Sequence, residues 1–128
     1  MKSTLHTLAI GIGLMIPLLA HHSFDAEYDR TKTQEFKGVV TKVEWMNPHA
    51  RFYLDVKDAA GNVVNWNMEL GSPNSLMRQG WKKDSLKAGD EITCSASLAK
   101  DGSKMGNARN VTLANGKRVF GASSADSN

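Results

Sequence analysis

A chain of 128 residues, 41% hydrophobic and 23% charged, has room for one domain and the make-up of an ordinary folded protein, which excludes collagen-like, coiled-coil and disordered classes. Its formal net charge of +3 is small and its basic residues are interspersed with acidic ones, so no broad field steers nucleic acid or anionic lipid towards it. Cys94 is the single cysteine; no intramolecular disulfide can form, and stability must come from a packed core.

The first twenty residues read as an address label. Lys2 gives a short positive region, and Leu8 to Leu19 is apolar apart from glycines and a proline, the length of a signal-peptide core and short for a membrane span. Ala20 followed by the polar His21 marks the expected cleavage point, although Leu18 stands where a small residue is preferred. Residues 1–20 are therefore read as a signal peptide, with a retained anchor as the alternative, and the protein as periplasmic or secreted with no membrane association after cleavage. Losing Lys2 leaves 15 basic against 13 acidic residues, a net +2.

From His21 to residue 35 the chain is polar with isolated aromatics and has no steady period, which predicts an extended arm that Phe24 and Tyr28 pin down by burying their rings. A domain over 36–120 follows. Its first strand is expected from Phe36 to Trp45, with Val39, Thr41, Val43 and Trp45 on one face. Asn47-Pro48 ends it, because proline donates no ladder hydrogen bond. Arg51 to Lys57 alternates as a second strand. The turn chemistry of residues 58–62 makes a hairpin with a third strand, Val63 to Leu70, which places Val64, Trp66, Met68 and Leu70 inward and Asn65, Asn67 and Glu69 outward.

Ser72-Pro73 is a helix start and Gly80 a stop, with Trp81 packing back onto the sheet. A fourth strand is expected at Glu91 to Leu98, a fifth at about Ala108 to Leu113, and a last short one at Arg118 to Phe120 after the hairpin pair Asn115-Gly116. Residues 121–128 are a small, polar tail, expected to be disordered. The order predicts a mainly β fold, a five- to six-stranded OB-like Greek-key barrel with one short helix between strands three and four. Cys94 then falls with Ile92, Ala96 and Leu98 as a small buried hydrophobe rather than a redox or metal thiol.

Five strings carry a family resemblance: Ala-His-His-Ser-Phe at 20–24, Val-Glu-Trp-Met-Asn-Pro-His at 43–49, Glu-Leu-Gly-Ser-Pro-Asn at 69–74, Arg-Gln-Gly-Trp at 78–81 and Lys-Ala-Gly-Asp at 87–90. The resemblance they carry extends over nearly all of the chain beyond the expected leader. The sequence resembles a family of uncharacterised secreted proteins of Gram-negative bacteria with an OB-like β-barrel. The resemblance implies an exported domain of unknown function and supplies no catalytic residues.

Three classes of chemistry compete. Cleavage after Ala20 would make His21 the first residue, joining a free amine to an imidazole; with His22 and His49, the other histidines beyond the leader, this gives a nitrogen-rich donor set suited to copper. The competing reading is that His21 and His22 are solvated and His49 serves its loop. A second class is recognition of an envelope protein or glycan on the barrel face by Arg51, Tyr53, Asn65 and Asn67, since OB-folds use that face for ligands. Nucleic acid is disfavoured by export, by near-neutral charge and by few exposed aromatics. No enzyme is expected, because His-Glu-x-x-His, Gly-x-Ser-x-Gly, Walker and paired-cysteine motifs are all missing. Trp45, Trp66 and Trp81 read as core rather than as a ring-lined cleft. The expected protein is a monomeric binding or accessory domain.

Overall fold

The first strand is longer, and less regular, than simple alternation suggests. In the computed structural model, which describes residues 24–119, a helical turn at 24–27 leads into β1, Tyr28–Glu44. The second half of the expected arm is therefore strand: β1 pairs with the later strand β4 (Glu91–Ala99) from Tyr28↔Ala99 onward, with a bulge between Asp29 and Thr33. That interruption is why the segment shows no period in sequence. Phe24 and Tyr28 do bury their rings, which sit 5.5 Å apart at a tilt. The expected signal peptide, His21 and His22, Phe120 and the expected disordered tail at 121–128 lie outside the described residues.

A second bulge changes which face of β1 is inward. Val40 pairs with Leu54 and Lys42 with Tyr53, so Thr41 is an extra residue without its own partner. Before it, Phe36 and Val40 are buried while Val39 is exposed; after it, Val43 and Trp45 pack against the core. The expected single face of Val39, Thr41, Val43 and Trp45 is thus corrected: one extra residue shifts the two-residue period by one and moves the apolar set from even to odd positions.

β2 (Arg51–Lys57) and β3 (Val63–Glu69) form the expected hairpin around Gly61, whose φ of 84° is in the region only glycine adopts freely. The helix α1, Pro73–Arg78, follows. Ser72 caps it, its hydroxyl accepting from the Ser75 amide at 3.2 Å, and Leu76 is wholly buried beneath it. Gly80, with φ of 95°, turns the chain so that Trp81 enters the core. β4 then leads to β5 (Met105–Leu113), which begins three residues earlier than expected, and β6 (Arg118–Val119) closes a hairpin over Asn115-Gly116.

The neighbour order closes on itself. β1 lies between β2 and β4, β4 pairs with β5, and β5 pairs in parallel with β3 through Met105–Asn107 against Asn67–Glu69. The five long strands therefore form a mainly β ring in the OB-like order, with one short helix between β3 and β4 as expected. Val40, Phe52, Leu54, Met68, Leu76, Ile92, Cys94 and Val111 fill its interior. Each large apolar side chain buried this way contributes about 1.5–3 kcal/mol before the entropy of ordering it is counted. Among the described residues no helix is long and apolar enough to cross a membrane.

Candidate functional site

The register of the β2–β3 hairpin sets the site. Arg51 stands opposite Glu69, Tyr53 opposite Asn67 and Asp55 opposite Asn65, all on the face away from Phe52, Leu54 and Met68. At the open end of the hairpin this polar row is covered rather than solvated. Tyr28 at the start of β1 lies over Glu69 on one side, and β5 brings Asn107 directly beside it by parallel pairing. Glu69 is only 3% exposed, which corrects its expected outward, solvated position. Alternation aimed the side chain away from the core, and the closing strands then roofed it over.

A buried carboxylate requires donors, and Glu69 has them on both oxygens. Oε2 accepts from the Arg51 guanidinium at 2.6 Å and from the Tyr28 hydroxyl at 3.1 Å; Oε1 accepts from the Asn107 amide at 3.3 Å and lies 3.3 Å from His49 Nδ1. Arg51 uses its other terminal nitrogen on Asn67 Oδ1 at 3.2 Å. Burial, and then the negative charge of Glu69, push the Tyr28 hydroxyl well above the ordinary phenol range, which keeps it a donor.

His49 occupies the loop between β1 and β2, just after the cis Asn47-Pro48 peptide, with its side chain 24% exposed. A carboxylate only accepts, so a hydrogen bond across this 3.3 Å approach would have Nδ1 as its donor. In a neutral ring that places the free lone pair on Nε2. The arrangement can therefore present one oriented imidazole nitrogen at the surface above a fixed, buried anion.

The structure gathers Arg51 and Asn67 into this network and leaves Tyr53 and Asn65 further along the same face with other partners. The Tyr53 hydroxyl reaches Glu44 at 3.4 Å, under Lys42, which is paired to Glu44 at 2.5 Å; Asn65 donates to Asp55 at 2.7 Å and to Thr41 at 3.3 Å. His49 joins the Glu69 cluster, whereas the described residues do not include His21 or His22. Among the described residues there is no group of three or more His, Cys, Asp or Glu side chains placed to hold a metal ion.

Sequence reading missed Tyr28, Glu69 and Asn107 as members of one site. A signal existed for Glu69: counting outward from the 58–62 turn puts it opposite Arg51, an ion pair across a hairpin. Tyr28 and Asn107 are 41 and 38 residues away from Glu69 in the chain and carried no such signal.

A family of unknown function, DUF6152, has a model that matches residues 11–109. The chain belongs to that family. The match runs from the apolar N-terminal segment into β5 and takes in every residue of the Glu69 cluster. No curated protein and no solved structure matches the chain. Membership thus assigns a family and no activity, and the chemistry rests on the cluster itself.

Proposed function

We propose that the chain is an exported binding or accessory protein of the Gram-negative envelope, and that it takes copper through His49 together with His21 and His22. The observation that carries this reading is the 3.3 Å approach of His49 Nδ1 to Glu69, a carboxylate itself held by Arg51 and Tyr28. Metal-binding histidines commonly donate their second ring N–H to a carboxylate, which fixes the tautomer and raises the basicity of the ligating nitrogen. Here that nitrogen is Nε2 of a partly exposed ring.

Cleavage after Ala20 supplies the remainder of the donor set. His21 then offers its terminal amine and an imidazole, and His22 a further imidazole. Nitrogen donors of this kind suit the tetragonal preference of Cu(II), and the Irving–Williams order favours Cu(II) over Zn(II) at such a site. No catalytic step is assigned; the proposed role is binding.

Two measurements test it. Intact-mass analysis of the exported protein is expected to give a chain beginning at His21, and calorimetric Cu(II) titration a site that both His21→Ala and His49→Ala weaken. A chain beginning elsewhere, or both variants binding Cu(II) as the parent does, overturns the copper reading. An envelope protein or glycan captured equally with and without chelator would favour the metal-free alternative on the Arg51, Tyr53, Asn65 and Asn67 face.

A further inference from the structure

A second site lies away from the Glu69 cluster. Between the middle of β1, the β2–β3 hairpin end and the turn from β4 to β5 there is a cleft of about 650 Å³, well within the range of small-molecule sites. Its floor is apolar, formed by Phe36, Val64, Trp66 and Leu98, with the Phe36 and Trp66 rings 4.6 Å apart. Its rim carries three exposed lysines: Lys37, Lys57 and Lys104. The Lys104 ammonium sits 5.1 Å from the centre of the Trp66 ring, bringing positive charge down to the apolar floor.

The charges on this rim are unequally committed. None of the three lysines forms an ion pair among the described residues, whose salt bridges lie elsewhere. Of the two acids lining the cleft, both exposed, Asp58 accepts through Oδ1 from the amides of Ala60 and Asn62, both at 2.9 Å, and three ammonium groups against two carboxylates leave the rim with a net positive charge. An apolar floor beneath uncommitted ammonium groups is complementary to a molecule with an apolar tail and an anionic head.

We propose that this cleft binds an acidic amphiphile, its chain against Phe36, Trp66 and Leu98 and its carboxylate or phosphate among Lys37, Lys57 and Lys104. The site shares none of the proposed copper ligands and stands apart from that reading.

The test uses twelve-carbon probes below their micelle concentrations: dodecanoate, dodecyl phosphate and dodecyltrimethylammonium, titrated into the exported protein by calorimetry and tryptophan fluorescence. At least one anionic probe is expected to bind about tenfold more tightly than the cationic one. Tighter binding of dodecanoate points to a fatty acid as the source, and tighter binding of dodecyl phosphate to a phospholipid head. The triple variant Lys37→Gln/Lys57→Gln/Lys104→Gln, changed only at exposed positions, should lose that preference while keeping the parent's circular dichroism. His49→Ala should keep it, which separates this site from the metal. The proposal is overturned if the cationic probe binds as well as the anionic ones, if no probe binds, or if the triple variant retains the preference.

Discussion

Arg51 and Glu69 face each other in direct register across the β2–β3 hairpin, with guanidinium nitrogen and carboxylate oxygen 2.6 Å apart. The same carboxylate is reached by Tyr28 from β1, by Asn107 from β5 and by His49 from the β1–β2 loop. One side chain therefore ties together the two ends at which the ring of strands closes. Such a group stabilises only while its partners remain, because a buried ion is costly when left alone.

Removing the cation should cost more than the value of one hydrogen bond. Arg51→Ala strands a carboxylate that is 4% exposed, and is expected to lower unfolding free energy by about 3 kcal/mol. Glu69→Ala should be similarly harmful. The double variant should cost less than the two single losses added, a coupling of about 0.5–3 kcal/mol. Guanidinium unfolding of the four proteins gives each value, and strict additivity would show that the pair is not an energetic unit.

Conservative change at Glu69 separates orientation from ligation. Glu69→Gln keeps the volume and an acceptor oxygen but removes the negative charge 3.3 Å from His49 Nδ1. If His49 ligates copper through Nε2, affinity should fall about 10–100-fold while His49 itself remains in place. Cu(II) titration against a competing chelator reads this directly, and an unchanged affinity would detach Glu69 from the metal site.

Alkaline pH should unfold the protein through Cys94. Burial pushes its thiol from 9.0 up to about 12, so the folded form holds its proton while the unfolded thiol releases one. The resulting stability is fully present below about pH 9 and is lost as pH rises towards about 12. The raised phenol of Tyr28 acts in the same direction, its contribution being lost as pH rises from the ordinary phenol value of 10.0. Stability against pH should fall over this window and fall less steeply in Cys94→Ala. An aromatic disulfide reagent at pH 8 should leave the native thiol unreacted and label it only in denaturant.

Gly38 and Gly106 should respond differently to alanine. A Cβ on Gly38 would overlap the Asp55 carbonyl of the neighbouring strand, which is backbone and cannot step aside. At Gly106 the nearest atoms are Ala96 Cβ at 3.0 Å and the Met68 sulfur at 3.1 Å, and the methionine is flexible. Gly38→Ala is expected to cost roughly 3 kcal/mol or more and Gly106→Ala about 1 kcal/mol. Thermal unfolding of both variants checks the order.

The local punctuation of this protein was legible from its residues. Turn chemistry at 58–62, the Ser72-Pro73 start, the Gly80 stop and Asn115-Gly116 each act within a few residues, so strand order, the helix between β3 and β4, and the mainly β class were legible from them. The hairpin turn also fixed the register that pairs Arg51 with Glu69, since counting outward from a tight turn needs no distant partner. Contacts between distant strands set the rest. Periodicity reports alternation but not the place where a partner strand forces an extra residue, so the switch at Thr41, where the inward set passes from Val40 to Val43, could not be read from β1 alone. It also aims a side chain without saying what later covers it: Glu69 became a buried, hydrogen-bonded carboxylate only because Tyr28 and Asn107 arrive from strands 41 and 38 residues away.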